Sequence, residues 1–125
     1  VYAGLKAYVA LCRALGWPAQ LYSDAAGEVR QSVWARFYDA STGMFHWAVD
    51  SQIEHVSDWS RFYPDAFAQL FPIVYGVLDP ASPKAEQIWA RFCQQYGRAE
   101  GLADSLQTVV ISMARERMRP EKTER

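Results

Sequence analysis

The stretch "WSRFYPDAFAQLFPIVYGVLDP", Trp59 to Pro80, constrains the fold more than any other part of the chain. It is long enough for a helix and has Pro64 where a missing N–H costs nothing, yet it is apolar nearly all the way round. A surface helix carries a polar face, so this segment needs neighbours on every side and the rest of the chain must supply a shell. On this reading Phe71 is internal, and a charge placed there unfolds the assembly. Half of the 125 residues are hydrophobic and 22% are charged, which is the composition of a globular chain able to build such a shell.

The remaining segments divide into helices with and without a wet face. Residues 1 to 16 read as a helix rich in Ala and Leu, with small residues (Ala3, Gly4, Ala7, Ala10, Ala14) and Gly16 as its stop. Residues 18 to 38 place Tyr22, Ala26, Val29, Val33 and Phe37 on one stripe, with Asp24, Glu28, Gln31 and Arg36 elsewhere. The apolar helix starts near Tyr63, kinks at Pro72 and ends near Gly76. Ser82-Pro83 opens a fourth helix with Ala85, Ile88, Phe92 and Tyr96 against Lys84, Gln87, Arg91, Gln94 and Gln95. A fifth runs from about Gly101 to Arg117. Between the second and third, "MFHWAVDSQIEHVSD" sets Phe45, Trp47 and Val49 in alternation against Met44, His46 and Ala48, and it predicts a small β-hairpin near 44–56 turning at Asp50-Ser51. The fold class is therefore all-α: helical hairpins spanning 1–119 as one domain, followed by a charged, disordered tail at 120–125.

Charge excludes some functions. Thirteen basic and fourteen acidic residues leave a net charge of −1, so no global field attracts nucleic acid or an anionic membrane surface. No apolar run is long enough to span a bilayer. Cys12 and Cys93 are too few and too scattered for a disulfide framework or a metal knuckle, and they do not fix the redox compartment. No phosphate-cradling glycine loop, nucleophile elbow or His-Glu-x-x-His motif is present, so no cofactor is expected. His46 and His55 would face each other across the expected hairpin, but two imidazoles without a third ligand do not make a metal site, and none is expected.

The segments "VYAGLKAYVALCRALG" and "YPDAFAQLFPIVYGVL", with the connection between them, resemble the later hairpins of (α/α)6-toroid, or six-hairpin, glycosidase-like enzymes. In that architecture relatively apolar helices form an inner ring inside an amphipathic outer ring. The resemblance implies that the helices starting at Val1, Tyr63 and Gly101 are inner and those starting at Pro18 and Pro83 outer. It also implies a C-terminal part of a longer toroid, which fits a chain that opens in helical pattern without Met. Its partners would be the preceding hairpins or further copies of the chain, and its ligand an oligo- or polysaccharide.

In such toroids the connections from an outer helix to the next inner one line the substrate cleft, which here implicates Asp39–Phe62. Glycoside hydrolysis needs two carboxyl groups across a sugar, and Asp58 and Asp65 are the candidates, with Asp104 behind them. Each also has a plainer reading: Asp58 as a helix cap, Asp65 and Asp104 as first-turn charges favoured by the helix dipole. Trp47, Trp59 and Tyr63 are candidate platforms for the apolar face of a sugar ring, or else a hydrophobic lid, and His46 is a candidate partner for a sugar hydroxyl. The rival function is a non-catalytic helical-hairpin module that binds a protein or glycan partner.

Overall fold

The computed structural model describes residues 1–47, 57–97 and 103–120. These are mostly helical, with one small antiparallel sheet. Helices α1 (Tyr2–Ala14) and α2 (Gln20–Phe37) form an antiparallel pair. Strands β1 (Tyr38–Asp39) and β2 (Met44–Phe45) follow, then a wide helical turn at Phe62–Ala66 leading into α3 (Leu70–Val74), and finally α4 (Pro83–Tyr96) and α5 (Ser105–Arg117).

The apolar stretch is the centre of the fold. Tyr63 has an extended backbone (φ −123°, ψ 132°), as a residue before proline must, so helical geometry begins at Pro64 after a cis peptide bond. The segment breaks at Gln69, three residues before Pro72, because the proline ring crowds the preceding turn and supplies no N–H to it. Gly76 ends the helical path in the left-handed region (φ 81°), where a side chain would be strained.

Two clusters surround this segment. Ala66, Phe67, Leu70 and Val74 pack against Phe92 and Tyr96 of α4 and Val110, Ile111 and Ala114 of α5. Ile73 and Leu78 pack with Phe45, Ala85 and Ile88, and Val33, Trp34 and Phe37 of α2 close over them. The Arg30 side chain ties α2 to the end of the central segment, its Nε donating to the Val77 carbonyl at 3.1 Å.

The enclosure is incomplete, and this corrects the expectation for Phe71. Tyr63, Phe71 and Tyr75 lie on an outward stripe, Phe71 with 37% of its surface exposed. The Phe71 and Tyr75 rings lie nearly parallel, 3° apart with centroids 6.0 Å apart. They border an apolar cavity of about 420 Å³ shared with Tyr2, Val29, Val33 and Val77. Among the helices expected to lie inside, α1 buries only Val9 and Cys12, and α5 leaves Leu106 and Val109 exposed.

The sheet differs from the expected hairpin. Met44–Phe45 pairs backward, Tyr38 opposite Phe45 and Asp39 opposite Met44. The turn is the "DASTG" sequence: the Asp39 carboxylate accepts from the Ser41 N–H at 2.9 Å and the Ser41 hydroxyl at 2.6 Å, and Gly43 takes φ 71°. This backward pairing is not among the expectations from sequence. The expected turn at Asp50-Ser51 and the strand containing His55 lie outside the described residues, as does the tail 121–125.

The start signal of α4 is realised, whereas α5 begins at Ser105 rather than near Gly101, which makes Asp104 its N-cap and not a first-turn charge. The Ser82 hydroxyl accepts from the Ala85 N–H with Pro83 at the first helical position. Asp104 and Gln107 form a reciprocal capping box at the start of α5. Among the described residues, no helix is long and apolar enough to cross a membrane.

Leu70 is fully buried whereas its neighbour Phe71 is not. Leu70→Asp is therefore expected to abolish cooperative folding, while Phe71→Asp retains a cooperative thermal transition. Circular dichroism melts of the two variants check this, and equal loss in both would contradict the placement of Phe71.

Candidate functional site

Helix α4 buries Ala85, Ile88, Phe92 and Tyr96. Burial of that stripe turns Lys84, Gln87, Arg91 and Gln94 outward, at the i, i+3, i+7 and i+10 positions of one helical face. Opposite them stands the β-turn with Thr42 and Gly43, and Trp59 lies between. Together with Ile88 and Ala90 these residues line a groove of about 430 Å³. The Arg91 guanidinium lies over the Trp59 ring, 5.7 Å from its centroid, and the Lys84 ammonium lies over the Tyr38 ring at 4.9 Å.

Hydrogen bonds made by the buried side chains of Gln69, Asp65 and Tyr96 hold the walls. The Gln69 side chain, fully buried, pairs with β2 as another strand would: its Oε1 accepts from the Phe45 N–H at 2.7 Å and its Nε2 donates to the Phe45 carbonyl at 2.6 Å. The same Nε2 donates to the Asp65 carbonyl at 3.0 Å. The Asp65 Oδ2 accepts from the Asp58 N–H at 2.7 Å, which fixes the backbone one residue before Trp59. The Tyr96 hydroxyl donates to the Trp59 carbonyl itself. Burial, then the nearby Asp58 and Asp65 carboxylates, push the Tyr96 phenol above its ordinary value.

The residues expected to form a site are distributed unevenly. Trp59 lines the groove and packs against both core clusters. Trp47 is half exposed and Tyr63 more so, and neither lines the groove. Tyr63 instead rests on Phe67, with ring centroids 5.8 Å apart. His46 is held from both sides, its Nδ1 2.9 Å from the Ser57 hydroxyl and its Nε2 3.8 Å from an Asp39 carboxylate oxygen.

The two acids have opposite surroundings. Asp65 is fully buried and forms a salt bridge to Arg61 at 3.1 Å, while its Oδ1 has no hydrogen-bond partner among the described residues. Asp58 is exposed, and its Oδ1 accepts from the Ser60 N–H at 2.9 Å. That bond, the Ser60 side chain and the Arg61 charge hold its carboxyl below the ordinary aspartate value. Asp65 and Asp58 are thus linked through a backbone amide rather than set across an open cleft. Asp104 serves as the cap of α5.

The α4 contribution was not singled out from sequence. Lys84, Gln87, Arg91 and Gln94 read there as the solvated face of an amphipathic helix. The available signal was their composition: amides and cations alternate along the stripe, with no acid among them.

The Asp58 carboxyl is held below the ordinary aspartate value of 3.8, so it favours the folded state above that pH, and this contribution is lost as the pH falls from 3.8 through the lowered value. Asp58→Asn is expected to leave thermal stability near pH 7 slightly reduced and to flatten its decline below about pH 4. Melting temperatures measured across pH 2–7 check this, and an unchanged acid limb would contradict it.

No protein-family model, no curated protein and no solved structure matches this chain.

Proposed function

We propose that this chain is a saccharide-binding module built from helical hairpins, of the kind found in six-hairpin glycosidase-like proteins, and that it binds without itself cutting. The observation that carries the reading is the Trp59 groove. It combines an indole with the amides of Gln87 and Gln94, the hydroxyl of Thr42 and two cations, within one rigidly supported depression. Amide and guanidinium groups match the dense donor and acceptor pattern of sugar hydroxyls, and an indole supplies the apolar contact beside them. A small apolar ligand would gain little from such a lining.

Hydrolysis is the second reading, and Asp58 favours it: an exposed carboxyl held in its ionised form, next in sequence to Trp59. A glycosidase needs a second, protonated carboxyl facing the same sugar. Asp65 does not fill that role while its carboxyl is buried beneath the Asp58 amide and Arg61.

The partners proposed for the rest of the surface are further helical hairpins or further copies of the chain. Exposed apolar residues lie on the first and last helices, Leu11 on α1 with Leu15 just after it, and Leu106 and Val109 on α5. Such faces favour association. The 125-residue chain is expected to elute with a mass above 14.2 kDa in light scattering, and Leu106→Lys with Val109→Lys to shift it toward monomer. A chain that is monomeric at high concentration would contradict this.

For the main reading, a panel of oligosaccharides is expected to perturb tryptophan fluorescence saturably, and Gln87→Ala with Gln94→Ala to weaken that binding about tenfold or more without altering the melt. No reducing ends should accumulate. Accumulation that Asp58→Asn abolishes would replace the binding reading with hydrolysis.

A further inference from the structure

We infer that the Trp59 groove selects acidic saccharides, binding a chain of hexuronate units with Arg91 as its principal carboxylate contact. The inference rests on the saccharide-binding reading and names the class of sugar. Among the described residues, neither Lys84 nor Arg91 forms an ion pair, although both are the cationic lining of one groove. Each is instead placed over an aromatic ring, Arg91 on Trp59 and Lys84 on Tyr38. A guanidinium held near an indole face by a cation–π contact keeps its planar fork available for a carboxylate in two parallel hydrogen bonds.

The spacing favours separate single charges. Lys84 and Arg91 stand two helical turns apart, roughly 10 Å along the axis, and each rests at a different ring, which favours two separated single charges over one compact dianion. Gln87 lies between them on the same face and Gln94 beyond, giving the order cation, amide, cation, amide. An oligouronate presents the complementary series: carboxylates at intervals with hydroxyls between. The Trp59 indole thus has two parts, bordering the Arg91 guanidinium at 5.7 Å from its centroid and offering the rest of its apolar surface to the sugar.

The test is calorimetric titration of the chain with a galacturonate trimer, its methyl ester and a neutral galactose trimer, repeated with Arg91→Gln and Lys84→Gln. The acidic trimer is expected to bind about tenfold or more tightly than either neutral one, with the difference erased by Arg91→Gln and reduced by Lys84→Gln and by added salt. Both variants should melt as the parent does, because neither side chain is buried. Equal binding of acidic and neutral trimers would overturn the selectivity while leaving saccharide binding intact. Binding of none of them, in a panel where other sugars also fail, would overturn both. An acid preference that survives Arg91→Gln would place the site elsewhere and overturn the inference.

Discussion

The structure depends on one buried amide. Gln69 sits at the break in the central segment, fully enclosed, and its side chain satisfies the backbone N–H and C=O of Phe45 together. A two-residue strand pair is too short to persist by itself in water, and here the amide supplies the ladder on its other side. Replacing Gln69 with an apolar residue would orphan buried donors and acceptors, at a cost of about 1–3 kcal/mol for each. Through this contact the turn that carries Thr42 and Gly43 is tied to the most buried helix of the fold. The Asp65 bond to the Asp58 amide does the same for the opposite wall, so the groove inherits the stability of the core rather than of a surface loop.

The sequence made the helical content, the caps at Ser82 and the exceptional burial of the 63–78 region legible, because each rests on local chemistry or composition. Pairing was less legible. The Asp39 turn and the glycine at 43 fold Met44–Phe45 back on the end of α2, a pairing that the alternation around Phe45 did not point to. Phe71 illustrates a second failure: apolar character on all sides does not distinguish an enclosed helix from one that turns an aromatic stripe toward a cavity and solvent. Only the positions of α1 and α2 decide between them.

The candidate site shows the same division. Trp59 was identifiable because it precedes the central segment, but its real surroundings come from a helix nearly thirty residues later in the chain. Lys84 to Gln94 carried no sign in sequence of what they would face. Asp65 read as a catalytic candidate or a first-turn charge, and in the fold it is a buried acceptor that organises the backbone before Trp59. A carboxylate and a carboxamide one helical turn apart, Asp65 and Gln69, thus serve as internal fasteners, a use of polar residues that composition cannot separate from catalysis.

The claim that the groove hangs from the core is tested most directly by native-state hydrogen exchange at the amides of Phe45 and Asp58, the two donors to buried side-chain oxygens. The account predicts that both exchange only through global unfolding, with a denaturant dependence matching that of the amides in the middle of α4. Exchange of either at the rate of a solvent-exposed loop amide would mean that the groove walls open independently of the core, and would contradict it.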